Sequence, residues 1–151
     1  MAMATDNAVT TEGDAVVRSL EETGKLAFLL LPLIREARCV SLEGPLGAGK
    51  THLVKSVARH LGVFEPVTSP TFTLLHNYSG SECALHHSDW YRLESEGEVL
   101  GLSLEEYLED GIMMIEWGDK FPSMLPHGTL RIRISTLPDE SRQVSWKRWS
   151  R

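Results

Sequence analysis

The sequence lacks the features that define several large classes of protein. It contains two cysteines, Cys39 and Cys83, with no CxxC pair and no Cys/His cluster at metal-ligand spacing, which argues against a disulfide framework and a structural zinc site. No apolar run reaches the roughly 18 residues that a membrane-spanning helix needs, because the longest, at residues 26–34, is short and contains Pro32. We therefore expect two buried thiols in a cytoplasmic protein that makes no contact with a membrane.

Positive charge is also scarce. The chain has 15 lysines and arginines against 21 aspartates and glutamates, which gives a formal net charge of −6. Because binding of nucleic acid depends largely on neutralising phosphates, an acidic domain is a poor candidate for holding RNA unaided. If RNA is involved, we expect a partner to supply most of the contacts. A solvated terminal strand is favoured over RNA contact for the basic residues 146–151.

The first residues resemble no targeting segment, since they lack the basic and apolar regions of a secretory signal. We predict a flexible leader over residues 1–18 and a single domain over residues 19–151, a length that supports an apolar core without disulfides or metals. Ser19 followed by Glu22 fits a capping box. The apolar spacing that follows predicts a helix over about residues 19–31, with a continuation past Pro32 left open.

The rest of the chain alternates strand-like and helix-like segments. The pattern predicts helices over residues 50–62 and 103–110, the second capped by Ser103. Strands are predicted over residues 39–43, 67–78, 80–93 and 112–117, the middle two forming an antiparallel pair. Residues 129–135 and 143–149 alternate on either side of a turn and predict a C-terminal β-hairpin that closes one edge of the sheet. These segments predict an α/β fold with a mixed sheet.

One loop carries the strongest signal. Residues 44–51 read GPLGAGKT and fit G-x-x-x-x-G-K-[ST], between a predicted strand and a predicted helix as that motif requires. Glycines let the loop curl so that its N–H groups and the helix N-terminus face an anion. Lys50 would bind the β- and γ-phosphates, and the Thr51 hydroxyl would bind Mg²⁺. We therefore predict a P-loop NTPase-like three-layer sandwich. The alternative, a chance glycine-rich turn, is much less favoured.

Two acidic residues end strand-like segments and could serve Mg²⁺-dependent phosphoryl transfer. Glu116 ends the apolar run at residues 112–115, and Asp89 follows the segment ALHHS. The residues themselves leave other interpretations open: Glu116 could be a strand end that faces solvent, and Asp89 could form a turn or pair with Arg92.

Other polar residues near these acids have weaker signals. Ser69, Thr71 and Thr73 lie about twenty residues after the loop, where a hydroxyl could sense the γ-phosphate, but a threonine-rich strand explains them equally well. The adjacent His86 and His87 point to opposite faces of a strand and so cannot hold one metal together. Trp90 and Trp117, which follow the two acids, are expected to pack in the core.

Four motifs in order, GPLGAGKT, SPTFTL, HHSDWYRL and IEW, resemble the TsaE (formerly YjeE) family over about residues 19–145. This family consists of small P-loop ATPases required for threonylcarbamoyladenosine synthesis on tRNA. The resemblance implies a chain that binds ATP and Mg²⁺ and hydrolyses ATP slowly. It would dock on the TsaB–TsaD transferase pair and reset that complex between turnovers, with tRNA contacted indirectly.

The resemblance also assigns residues by motif position. Lys50, Asp89 and Glu116 would be catalytic, and Thr51, Asp89 and Glu116 would serve Mg²⁺. The nucleotide would contact Thr23, Gly44, Pro45, Leu46, Gly47, Ala48, Gly49, Lys50, Thr51, His52, Ser69, Thr71 and Arg142. The chain departs from the family at Pro45, where Asp is usual and where proline removes one N–H from the loop. It also departs at Ser88, Trp90 and Gly118, none of which is a group needed for phosphate or Mg²⁺.

Three other functions remain as alternatives. A small nucleotide or metabolite kinase would usually carry an arginine-bearing lid, yet Arg59 and Arg92 are the only arginines between the loop and IEW. A GTPase would carry an N/T-K-x-D segment that selects guanine, and the sequence has none. A nucleotide-gated binding module with negligible turnover stays open, since no arginine finger can be assigned in this chain.

Overall fold

A computed structural model describes residues 11–45 and 47–149, which are built around one seven-stranded sheet. The strands are β1 (Glu12–Val17), β2 (Cys39–Glu43), β3 (Leu75–Ser79), β4 (Ala84–Asp89), β5 (Gly111–Glu116), β6 (Leu130–Thr136) and β7 (Arg142–Arg148). Their order is β1-β7-β6-β2-β5-β4-β3. Strands β4, β5, β2 and β6 run parallel, and β1, β7 and β3 pair antiparallel. The predicted mixed sheet and the β6–β7 hairpin are confirmed.

Four helices accompany the sheet in the described part of the chain. They are α1 (Leu20–Ala37), α2 (Lys50–His60), α3 (Glu96–Leu100) and α4 (Leu104–Leu108), followed by short 3₁₀ turns at Gly118–Lys120 and Pro122–Met124. The predicted cap of α1 is confirmed, because the Ser19 hydroxyl accepts the Glu22 N–H at 3.1 Å. The predicted side-chain cap at Ser103 is wrong, since that hydroxyl makes no capping bond to α4. Among the helices that the structure describes, none is long and apolar enough to cross a membrane.

The two faces of the sheet bury separate apolar clusters, which makes three layers. Along β5, Ile112 and Met114 join the cluster that α1 and α2 cover, while Met113 and Ile115 join a second cluster with Trp90 and residues of α3 and α4. This division follows from the two-residue alternation of side chains in a strand. The predicted three-layer sandwich is therefore confirmed.

The predicted N-terminal leader needs correction. Residues 12–17 form β1, which pairs with β7 from Glu12 opposite Lys147 to Val17 opposite Arg142. Val17 is buried and packs in the α1 side of the core, so burial and a full ladder of backbone bonds order this segment. Residues 1–10 of the predicted leader lie outside the described residues. Because β1 covers the outer side of β7, the edge of the sheet is β1 and not the hairpin.

The strand predicted over residues 67–78 is also shorter than expected. The Leu74 N–H donates to the Pro70 carbonyl at 2.7 Å, and Leu74 has a φ of 71°, so a turn precedes β3. Ser69 and Thr71 therefore lie in a loop, and the interpretation of that segment as a threonine-rich strand is wrong. The expectation of two buried thiols is confirmed for Cys39, and burial raises the pKa of that thiol to about 12. Cys83 is only partly buried.

Candidate functional site

The glycine-rich loop joins the end of β2 to the start of α2. Gly44 has a φ of 143°, and a Cβ atom there would collide with the carbonyl oxygen of Ile134, so the position requires glycine. Gly49 precedes α2 with a φ of 105° and offers no side chain to cap it. The N–H groups of the first helical turn are therefore left for a ligand, and the helix dipole favours an anion there. Leu46 lies outside the described residues.

Lys50 lies at the base of this loop. Its Nζ donates to the Gly44 carbonyl at 2.5 Å and lies 3.8 Å from the centroid of the Trp117 ring. Burial lowers the pKa of Lys50, and the charge of Glu116 opposes that shift. The arrangement keeps an ammonium group beside the N-terminus of α2, where the motif predicts it.

Glu116 and Thr51 meet across the loop. Glu116 ends β5 with 5% of its surface exposed, and its Oε2 accepts the Thr51 hydroxyl at 3.2 Å. The alternative of a strand end that faces solvent is therefore wrong. The contact brings together a hydroxyl and a carboxylate oxygen, which are the hard donors that Mg²⁺ prefers.

Asp89 lies directly beside Glu116 because β4 and β5 are parallel and the two residues are in register. Its Oδ2 accepts the Thr71 hydroxyl at 3.1 Å, and its Oδ1 accepts the Tyr91 N–H at 2.8 Å. The second bond agrees with the turn-forming role that the sequence left open. No described ion pair joins Asp89 to Arg92, whose guanidinium lies 4.9 Å from the centroid of the Phe72 ring.

A cavity of about 400 Å³, which we call the Lys50 cavity, brings most of the predicted residues together. It is lined by Gly47, Gly49, Lys50, Thr51, His52, Ser69, Thr71, Asp89, Tyr91, Glu116, Trp117 and Arg142. The cavity lies at the carboxyl ends of β2, β4 and β5, where ligands bind in parallel sheets.

Thr23 lines a different cavity on the other side of the loop. This Thr23 cavity, of about 220 Å³, is lined by β1, α1, α2 and β7 and shares Gly49, His52 and Arg142 with the Lys50 cavity. Arg142 connects the two, since its Nε donates to the Ala48 carbonyl at 2.9 Å and its Nη2 to the Gly47 carbonyl at 3.3 Å. The described site residues thus divide between two neighbouring cavities, except Gly44 and Pro45, which line neither.

A larger concave surface lies elsewhere and contains no motif residue of this site. It measures about 700 Å³ and is lined mostly by residues of β1, β6 and β7. The buried carboxylate of Glu43 accepts bonds there from Arg131 at 2.5 Å and Arg133 at 3.1 Å. Because this carboxylate and both guanidinium groups already pair with one another, size alone does not make this surface the functional site.

Sequence reasoning did not identify three residues that the structure places at the site. Trp117 packs against the second apolar cluster as expected, but it also lies under Lys50 with a φ of 64°. Tyr91 lines the Lys50 cavity. The His87 Nε2 lies 2.7 Å from Glu116 Oε2. Signals could have found two of them: Trp117 follows the predicted acid directly, and His87 shares a strand face with Asp89, two residues on.

The donor set fits Mg²⁺ held together with a triphosphate and does not fit a separate metal centre. Within residues 11–45 and 47–149, no group of three or more His, Cys, Asp and Glu side chains could hold a metal ion. Mg²⁺ usually takes one or two protein oxygens and completes its shell with water and substrate phosphates. Thr51 and Glu116 supply that number of oxygens at the foot of the loop.

Comparison with known proteins gives one consistent result. The sequence profile described as "Threonylcarbamoyl adenosine biosynthesis protein TsaE" matches residues 17–144. Two proteins named tRNA threonylcarbamoyladenosine biosynthesis protein TsaE are similar to this chain. The protein of Treponema pallidum is 39% identical over 86% of this chain and 96% of its own length. The protein of Nostoc sp. is 44% identical over 82% of this chain and 78% of its own length. The crystal structure of Bacillus YdiB superposes with a TM-score of 0.70 at 28% identity, covering 93% of this chain and 87% of that one.

Proposed function

Because this chain belongs to the TsaE family of threonylcarbamoyladenosine biosynthesis proteins, we propose that it binds ATP with Mg²⁺ and hydrolyses it slowly as an accessory subunit of that synthesis. One observation carries the proposal. Lys50, Thr51, Asp89 and Glu116 converge on one cavity at the N-terminus of α2 and at the carboxyl ends of parallel strands.

The loop is the proposed cradle for the phosphates. The curled backbone around Gly47 and Gly49 and the uncapped first turn of α2 offer N–H groups and a partial positive charge. Lys50 adds an ammonium group whose present acceptor is the Gly44 carbonyl, and phosphate oxygens are stronger acceptors because they are charged. The proposed binding therefore exchanges a neutral acceptor for a charged one.

The proposed hydrolysis depends on the two strand-end acids. Mg²⁺ supplies, when bound, a Lewis acid that neutralises charge on the phosphate oxygens. Thr51 and Glu116 would hold it, and Asp89 would orient the attacking water or the metal. The Thr71 hydroxyl already bonds to Asp89, which supports a switch-like role for residues 69–71 next to the γ-phosphate.

The adenosine is proposed to extend past Arg142 into the Thr23 cavity. That cavity shares its wall with the loop and is lined by apolar residues of β1, α2 and β7 together with Thr23 and His52. A mostly apolar pocket with a few polar groups is the usual environment for a nucleotide base.

The proposed partner is the TsaB–TsaD transferase pair, on which the ATP-bound chain docks and whose turnover its hydrolysis resets. An acidic chain of net charge −6 is a poor ligand for tRNA, which supports indirect contact with the nucleic acid.

Nucleotide-dependent capture tests this proposal. Immobilised TsaB–TsaD should retain the chain with a slowly hydrolysed ATP analogue and release it with ADP, and Lys50→Ala should not be retained. Lys55→Ala, an exposed lysine on the same helix, should behave as wild type. Capture that is equal with and without nucleotide would contradict the proposal. Capture without any ATP turnover would instead favour the nucleotide-gated binding module.

A further inference from the structure

His87 is a fully buried histidine that the proposed chemistry does not yet use. It lies on β4 with 0% of its surface exposed, and its Nε2 is 2.7 Å from Oε2 of Glu116. Its other ring nitrogen, Nδ1, is buried without a hydrogen-bond partner among the described residues. Since a buried polar atom without a partner costs stability, packing alone does not explain a histidine there.

The chemistry of the pair fixes which atom donates. An ionised carboxylate only accepts hydrogen bonds, so the proton of this contact is on Nε2. With Nε2 as the donor, the bond to Glu116 is the ring's one hydrogen bond among the described residues. An apolar side chain of similar shape would fill the same space but could not make the bond to Glu116.

The contact restricts one oxygen of Glu116. The His87 Nε2–H and the Thr51 hydroxyl both donate to Oε2, at 2.7 and 3.2 Å. No described hydrogen bond ends on Oε1. Two donors on one oxygen fix the rotation of the carboxylate, and they leave the other oxygen available.

We propose that His87 is a positioning residue, which holds Glu116 through Oε2 so that Oε1 is presented to Mg²⁺ or to a water bound to it. The inference rests on the proposed Mg²⁺–ATP function and assigns a residue that the motifs did not. Partners that orient metal ligands in this way typically contribute 10- to 100-fold to metal affinity.

The adjacent His86 offers a matched control. It lies on the same strand with 4% exposure but faces away from Glu116, bonding to Asn77 Oδ1 at 2.7 Å and Asp110 Oδ1 at 2.9 Å. Replacing it removes an equally buried imidazole without touching the site. His87→Leu removes the donor, while His87→Gln places an amide N–H near the position of Nε2.

The measurement is the affinity for ATP in EDTA and over a series of Mg²⁺ concentrations. Mg²⁺ should strengthen ATP binding, and His87→Leu should raise the Mg²⁺ concentration needed for half of that gain by about 10- to 100-fold. Its affinity for ATP in EDTA should stay within about twofold of wild type, because the loop is unchanged. His87→Gln should recover most of the Mg²⁺ response, and His86→Leu should retain it.

Three outcomes would overturn the inference: an unchanged Mg²⁺ response in His87→Leu, an equal shift in His86→Leu, or an equal loss of ATP affinity in EDTA. If His87→Leu does not fold, His87→Asn replaces it, since its shorter amide does not reach Glu116. Combined with Glu116→Gln, His87→Asn should cause no further shift, and additive shifts would contradict the inference. Wild-type protein that binds ATP without any Mg²⁺ effect would instead refute the proposed Mg²⁺ site.

Discussion

The Lys50 cavity and the Thr23 cavity flank the same turn of α2, yet the chain builds them in different ways. The Lys50 cavity takes its lysine from the end of the loop and its two acids from the ends of β4 and β5, which lie beside β2 in one parallel set. The Thr23 cavity adds β1, α1 and β7 to the loop and α2, so part of its wall comes from the two ends of the described chain.

This difference explains why the acids of the Lys50 cavity can be located from local sequence patterns, whereas Thr23 and Arg142 of the Thr23 cavity were assigned only through the family resemblance. Parallel strands bring their carboxyl ends to one edge, so a residue that ends such a strand can be located from the strand pattern alone. The Thr23 cavity depends on the pairing of β1 with β7, which no local pattern encodes. We therefore expect changes in the Lys50 cavity to alter the binding of phosphates and Mg²⁺, and changes in the Thr23 cavity to alter the preference for the base.

Lys50→Ala should have the largest effect. Removing the ammonium deletes a charge-assisted bond to phosphate, and we expect ATP affinity to fall by about 100-fold, or roughly 3 kcal/mol. Isothermal titration calorimetry with ATP and ADP measures it. Lys55→Ala should bind as wild type. If Lys50→Ala bound ATP with wild-type affinity, the phosphates would lie outside the Lys50 cavity, and the proposed division between the two cavities would be wrong.

Glu116→Gln should separate binding from turnover. The amide keeps the shape and an acceptor for the Thr51 hydroxyl but loses the charge that Mg²⁺ requires. We expect ATP turnover to fall by 10- to 100-fold while ATP affinity in EDTA is kept. A phosphate-release assay checks it, with the exposed Glu109→Gln as control. Turnover equal to wild type would remove Glu116 from the site.

The limits of prediction from sequence follow the same division. Three features were predictable because each depends on a short pattern. The loop is a strand followed by glycines, Glu116 is an acid that ends an apolar strand, and the β6–β7 hairpin is two alternating runs around a turn. The leader prediction was wrong over residues 12–17 because the partner of β1 is β7, at the other end of the described chain. His87 was missed because its role depends on which strand lies beside β4, which a single strand pattern does not state.

The loop at residues 67–74 shows a second kind of limit. Its Ser and Thr residues favour a strand, but the bond from Leu74 to Pro70 turns the chain before β3. The turn places the Thr71 hydroxyl on Asp89, so a tertiary contact decides the conformation against the local propensity.

Arg142→Ala should affect both cavities at once. Its guanidinium donates to the carbonyls of Ala48 and Gly47 and lines both cavities, so its loss should loosen the loop and widen the base pocket. We expect ATP and ADP affinity to fall together by about tenfold, which corresponds to one good charge-assisted bond. Competition titration measures it, with the exposed Arg59→Ala as control. A loss confined to ATP would place Arg142 at the γ-phosphate instead.

Thr23→Val should have the smallest effect on ATP affinity, and its effect should be confined to recognition of the base. The replacement keeps the shape and removes one hydroxyl, whose described bond is to the Ser19 carbonyl within α1 at 3.2 Å. A neutral hydrogen bond contributes about 1 kcal/mol or less, so we expect about a threefold loss of affinity, equal for ATP and ADP and independent of Mg²⁺. The preference for ATP over GTP should narrow, because the Thr23 cavity is where the base is proposed to lie. Thr11→Val, just before β1 and exposed, should change neither the affinity nor the preference for ATP over GTP. A loss of ATP affinity in Thr23→Val that depends on Mg²⁺ would contradict this division, because a residue that contacts only the base should not respond to the metal. It would indicate that both cavities bind the phosphates.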